Sequence, residues 1–169
     1  MFYKGMFWLF SRTCKPLNSA KASRLLLDVK SILDENNIEF FLVFGTLLGA
    51  HRDNDFIAHD TDIDIAILDT SDNAIAKLRN SGVFAEKNIL FFRGRHYSLT
   101  RDGVYMDIYI FSENDTDYRC ANYKIPKEHF PLGGIRFLDS DFKAPRNITR
   151  YLEDEYGPDW KTPVIGKHT

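Results

Sequence analysis

The sequence predicts an α+β fold. The prediction rests on a three- and four-residue apolar period from Asn18 to Glu35, on alternating apolar and polar residues from Asp62 to Leu68 and from Val104 to Phe111, and on an Asp102-Gly103 pair that ends one alternating run and starts another. A chain of 169 residues lies in the one-domain range and buries a continuous core without disulfide staples. We divide it into an aromatic N-terminal segment, residues 1–16, and one domain, residues 17–169.

The first helix places Ala22, Leu25, Leu26, Val29, Ile32 and Leu33 on one face, with Ser19 or Asn18 as its cap and Asn36-Asn37 as its end. Glu39 to Phe44 is short, apolar and aromatic and is followed by glycine, so it reads as a buried strand. Gly45-Thr46 then stands at the mouth of a short helix. Backbone N–H groups and a hydroxyl there can meet a phosphate, and the same pair equally serves as a turn and a helix cap.

The next strand carries the chemistry. Asp60, Asp62 and Asp64 occupy alternate positions and share one face, while Ile63, Ile65 and Ile67 point to the core and fix the register. Aspartate is a poor strand former, and carboxylates on one face repel, so this pattern sacrifices local stability unless a cation sits there. In the second alternating strand Val104, Met106, Ile108 and Ile110 are apolar, and Tyr105, Asp107 and Tyr109 face the other way. An Asp-Gly turn pairs residues 95–101 antiparallel with 104–110, which sets Ser98 opposite Asp107 and His96 and Thr100 diagonal to it. If this hairpin lies beside the Asp62 strand, Asp62, Asp64 and Asp107 supply hard oxygen ligands for magnesium, with manganese as an alternative ion.

Other residues carry two readings each. His96 is a candidate substrate contact or a hydrogen-bonding neighbour of the tyrosines. Arg52 neutralises a phosphate or complements a helix C-terminus. Arg93, Arg95 and Arg101 meet an acidic acceptor or are solvated hairpin ends. The last helix, Ile148 to Tyr156, is capped by Asn147 and stopped by Gly157-Pro158, and its Tyr156, with Trp160 beyond, either walls a nucleotide pocket or fills the core.

Composition narrows the function classes. With 22 basic and 24 acidic residues there is no general positive field, so nucleic acid is not an expected partner. Cys14 and Cys120 match neither a disulfide framework nor a zinc spacing, and His51 and His59 lack partners at metal spacing, so a reducing, cytoplasmic setting without zinc is expected. Residues 1–10 are apolar and aromatic, but a bilayer span needs roughly 20 residues. With Lys4, Arg12 and Lys15 the segment reads as an interfacial anchor giving peripheral membrane contact, as an arm packed on the domain, or as a self-association surface.

Gly45-Thr46, a spacer, Asp62-Ile63-Asp64 and a later Asp107 among apolar residues resemble the signature of the nucleotidyltransferase superfamily. Within it, the run from Phe44 to Arg52, then Phe56-Ile57, then Asp60 to Ile65 resembles the core motif of the LicD and fukutin family of phosphotransferases. Phe137, Phe142, Pro145, Asn147, Tyr151 and the stretch from Tyr156 to Trp160 are similar to that family's closing segment. His59 stands where tryptophan is usual, and Thr61 where an acid is common.

The resemblance implies a nucleotidyltransferase-like small mixed β-sheet with helices packed on it. It also implies a magnesium-dependent transferase with catalytic and metal-binding Asp62, Asp64 and Asp107, and substrate contacts at Gly45, Thr46, Arg52, Asp60, Tyr156 and Trp160, to which the hairpin register adds His96. The implied reaction moves phosphocholine, ribitol phosphate or glycerol phosphate from a CDP-activated donor to a hydroxyl of a glycan or glycolipid and releases CMP. Two alternatives stand beside it: a nucleotidyltransferase that moves NMP from an NTP, and a non-catalytic interaction domain of the same fold.

Overall fold

A computed structural model describes residues 15–68, 73–84, 90–92 and 95–163, with residues 90–92 as backbone only. Apart from Lys15 and Pro16, the aromatic segment read from the sequence lies outside the described residues, as does Arg93. Among the described residues no helix is long and apolar enough to cross a membrane.

Helix α1 (Ser19–Glu35) starts where the Asn18 side chain accepts the Lys21 N–H at 3.0 Å, so Asn18 is the cap. It buries Ala22, Leu25, Leu26, Val29 and Leu33, the face its period predicts. Strand β1 (Phe40–Leu42) is shorter than the expected Glu39 to Phe44. Val43 caps helix α2 (Phe44–Arg52), and Phe44 already has a positive φ of 46°. Its backbone N–H donates to the Tyr151 hydroxyl at 3.4 Å instead of to a neighbouring strand, and its ring packs on Tyr109 and Tyr123. Apolar character alone made the segment look like strand; a tertiary hydrogen bond ends it early.

Strand β2 (Asp62–Leu68) follows, then helix α3 (Asn73–Asn80), β3 (Leu90–Phe92), β4 (His96–Arg101) and β5 (Val104–Glu113). Both turn residues between β4 and β5 have positive φ, 55° at Asp102 and 81° at Gly103, as a tight hairpin with native twist requires. Short strands β6 (Asp117–Cys120) and β7 (Tyr123–Pro126), a 3₁₀ turn (Lys127–His129), β8 (Gly133–Phe137) and β9 (Ser140–Ala144) lead to helix α4 (Ile148–Tyr156). Asn147 caps α4 by accepting the Arg150 N–H at 3.0 Å.

The strands form one mixed sheet in the order β3-β4-β5-β2-β1-β9-β8, with β6 paired to β5 and β7 to β6. Strand β2 runs parallel to β5 and antiparallel to β1, and β1 runs parallel to β9. Helix α1 packs on α3 and against β5, while α2 packs against β2 and α4. Ile63, Ile65 and Ile67 are buried on one side of β2, and Ala66 is buried on the other, so the strand is covered on both faces beyond Asp64.

Candidate active site

The site is set by register. Parallel pairing of β2 with β5 puts Asp64 directly opposite Asp107, and Asp62 opposite Tyr105. Asp62, Asp64 and Asp107 each offer a carboxylate oxygen, and these oxygens lie within 4.8 Å of one another. Asp64 is 6% exposed and Asp107 5%. Among the described residues no lysine or arginine pairs with any of the three.

Such an arrangement is electrostatically unfavourable by itself. Burial pushes the Asp62 carboxyl up to about 8, with the charges of Asp107 and Asp60 adding to it. Burial first, then Asp62, Asp60 and Asp107, hold Asp64 well above the usual carboxylate range, against a hydrogen bond from the Gly45 backbone N–H that lowers it. Three convergent carboxylates of this kind fit a hard divalent cation, whose charge reverses the penalty.

Helix α2 is pressed onto this cup. A Cβ at Gly45 would collide with Asp60 Oδ2 and stand 3.3 Å from Asp64 Oδ2. A Cβ at Gly49, one turn further, would fall within 3.0 Å of the backbone at Asp55 and Ile57. The two glycines therefore make a bare stripe on α2 along which the loop from Asp55 to Asp60 runs. Asp60 turns its own loop through the Thr61 N–H, which its Oδ1 accepts at 3.0 Å, and it is near enough to Asp62 to help raise that carboxyl. Thr46 is 1% exposed, and its hydroxyl oxygen accepts the Asp64 N–H at 2.8 Å. That bond ties the helix to the first acidic pair.

The β4–β5 register is the one expected: Ser98 opposite Asp107, His96 opposite Tyr109 and Thr100 opposite Tyr105. His96 Nε2 lies 3.0 Å from Asp107 Oδ2. Its ring stacks on Tyr109 with centroids 4.3 Å apart. The Tyr109 hydroxyl donates to Asp64 Oδ1 at 3.4 Å. Burial and then the charges of Asp64 and Asp107 raise that hydroxyl well above its ordinary value, which keeps it a proton donor. Tyr123 and Phe44 complete an aromatic wall against Tyr109, at 5.1 and 4.9 Å. Sequence reasoning placed Tyr109 on Asp107's face but gave it no role, named Tyr151 only in the closing segment, and missed Tyr123.

The remaining candidates divide. Tyr156, at the end of α4, is 36% exposed, and burial of its hydroxyl, then the charges of Asp64, Glu155, Asp60 and Asp62, raise that hydroxyl above its ordinary value. Trp160 is 5% exposed and packs on His51 at 5.7 Å, as part of the core. Arg52 is not brought to the cup. It lies at the far end of α2 from Gly45, roughly 10 Å along the axis by helix rise, and forms a two-pronged pair with Asp53 at 2.8 and 2.7 Å. The adjacent acid already meets its charge.

A second group with ligand-type atoms within 4.8 Å of one another consists of Glu128, His129 and Asp154. It differs in kind. His129 Nε2 meets Asp154 Oδ2 at 3.1 Å, and Arg150 pairs with Asp154 Oδ1 at 3.1 Å, so an arginine already neutralises that acid and the network fastens the 3₁₀ turn to α4.

Comparison with known proteins follows the same lines. Residues 37–147 match the family model described as LicD/FKTN/FKRP, nucleotidyltransferase domain. The chain is 26% identical over 179 residues to ribitol-5-phosphate transferase FKTN of Homo sapiens, covering 93% of this chain and 37% of that protein. The Macaca fascicularis protein of that name matches to the same extent. An uncharacterized protein of Rickettsia typhi is 25% identical over 156 residues, covering 84% of this chain and 47% of the other. The chain thus spans less than half the length of these relatives. Among solved structures, the antibiotic-resistance factor ANT(2'')-Ia has a TM-score of 0.60 at 16% identity, covering 83% of this chain and 76% of that one. The lincosamide antibiotic adenylyltransferase LnuA has a TM-score of 0.55 at 14% identity, covering 72% and 78%. These likenesses show the fold, a nucleotidyltransferase fold, as the sequence resemblance implied.

Proposed function

The chain belongs to the LicD/FKTN/FKRP nucleotidyltransferase-domain family, and from that premise we propose that it is a divalent-metal-dependent phosphotransferase. It moves a phospho-alcohol such as ribitol phosphate, phosphocholine or glycerol phosphate from a CDP-activated donor to a hydroxyl of a glycan or glycolipid, releasing CMP. The observation that carries this reading is the facing pair Asp64 and Asp107, joined by Asp62 in one carboxylate cup to which, among the described residues, no lysine or arginine pairs.

Asp62, Asp64 and Asp107 would hold magnesium or manganese. A bound cation supplies charge neutralisation at the donor's diphosphate and polarises the phosphorus. The protein's own part is positioning and electrostatics. The N-terminal turn of α2 lies against the cup, where its backbone polarity favours an anionic group. Asp107 completes the ligand set or takes the proton of the acceptor hydroxyl. Thr46 acts through Asp64, whose amide it holds. Tyr156 offers an aromatic face to the nucleotide. A cytoplasmic setting with peripheral membrane contact through residues 1–16 belongs to the same proposal, and cell fractionation tests it.

The test is product identity. Incubation with magnesium, a glycan acceptor and CDP-ribitol, CDP-choline or CDP-glycerol releases CMP under this reading, and Asp64→Asn abolishes the release. The same cup in an adenylyltransferase-like reaction would release pyrophosphate from an NTP, and that product would overturn the phosphotransferase reading. Absence of both products from the wild-type chain favours an interaction domain.

A further inference from the structure

The two carboxylates that face each other across β2 and β5 are each gripped from the same direction. His96 Nε2 meets Asp107 Oδ2 at 3.0 Å, and the Tyr109 hydroxyl meets Asp64 Oδ1 at 3.4 Å. These two rings are themselves register partners on β4 and β5, stacked at 4.3 Å with only 16° between their planes. Each is 4% exposed. Tyr123 closes over both, edge-on, with centroids 6.5 Å from His96 and 5.1 Å from Tyr109.

We propose that His96 and Tyr109 form a stacked positioning pair that fixes one oxygen of each facing carboxylate and thereby sets the shape of the cation cup. The inference rests on reading that cup as a cation site. An aspartate carboxyl rotates in a broad, soft well, and two such groups facing each other repel and turn apart when nothing holds them. A donor on each removes that freedom. Stacking couples the donors, because a ring that shifts to release one carboxylate must move the ring that holds the other. Neither ring reaches the surface, so His96 acts on substrate through Asp107 and not by contact, in place of the substrate-binding role read from the sequence. Support of this kind is typically worth 10- to 100-fold in metal affinity, by order of magnitude.

Calorimetric titration of the full chain with MnCl₂ tests this, using wild type, His96→Phe, His96→Gln and Tyr109→Phe, with melting temperature recorded for each. The expected result is a manganese Kd weakened by roughly 10- to 100-fold in His96→Phe and Tyr109→Phe, with His96→Gln, which retains an N–H donor, recovering much of the loss. A lowered melting temperature with unchanged Kd in both Phe variants would mean that the rings only fill space, and would overturn the proposal. Should His96→Phe fail to fold, Tyr109→Phe decides alone, since it deletes one oxygen and keeps the stack. Wild-type protein that binds no manganese would be a separate result, visible before any variant is made; it defeats the cation reading of the cup and this inference with it.

Discussion

Asp64 and Asp107 stand directly opposite one another on parallel neighbouring strands, both buried, with Asp62 beside them and, among the described residues, no lysine or arginine paired to the group. Substituting either by asparagine removes a ligand and a repulsive charge together. We expect Asp64→Asn and Asp107→Asn to lose at least ~100-fold in turnover while melting higher than wild type in EDTA at pH 8. A gain of about 1 kcal/mol corresponds to roughly 2–4 °C for a chain of this size. Differential scanning calorimetry with and without magnesium checks both signs.

The pH dependence of the metal-free protein follows from the same cup. Asp62 shifts from an ordinary 3.8 to about 8 on folding, and Asp64 shifts in the same direction. The folded chain therefore binds protons that the unfolded chain has released, and stability falls as pH rises from about 4 to about 8. The contribution is fully present below the unfolded value and is lost through the folded one. Melting curves in EDTA across that window should decline, and magnesium should flatten the decline because it replaces the protons. A flat EDTA profile would contradict the electrostatic picture.

Gly45→Ala adds a methyl group where Asp60 Oδ2 already sits and within 3.3 Å of Asp64 Oδ2. Alanine suits a helix, so local propensity improves while the cup is displaced. The expected outcome is a folded protein with metal affinity lowered by at least ~10-fold, a size typical of disturbed support around ligands, read by manganese titration and circular dichroism.

Thr46→Val preserves shape and deletes the acceptor of the buried Asp64 N–H. An orphaned buried donor costs about 1–3 kcal/mol, measurable by urea unfolding. If Thr46 instead met the donor's phosphate directly, KM would rise with stability unchanged.

Much of this site was legible because local chemistry determined it. Asp102-Gly103 dictates a two-residue turn, which sets the register that brings His96, Ser98 and Asp107 together. Ile63, Ile65 and Ile67 likewise decide which face of β2 the aspartates take. What stayed hidden is non-local. Parallel pairing of β2 with β5 has no signature in either strand, and without it Asp64 and Asp107 never meet. Phe44 read as strand because nothing nearby in sequence announces that Tyr151 captures its amide. Arg52 looked available because the sequence does not show that the adjacent Asp53 takes up its guanidinium, as the structure does with two hydrogen bonds. Strands β6 to β9 are short and weakly alternating, and they were not foreseen.

The central claim is that three aspartates from two strands share one divalent cation. Crystals grown with MnCl₂ and measured at the manganese absorption edge test it most directly. The account predicts an anomalous peak at coordination distance, about 2.0–2.6 Å for hard cations, from carboxylate oxygens of Asp62, Asp64 and Asp107. A peak bound elsewhere, or an ordered cup with no peak at saturating manganese, would contradict it.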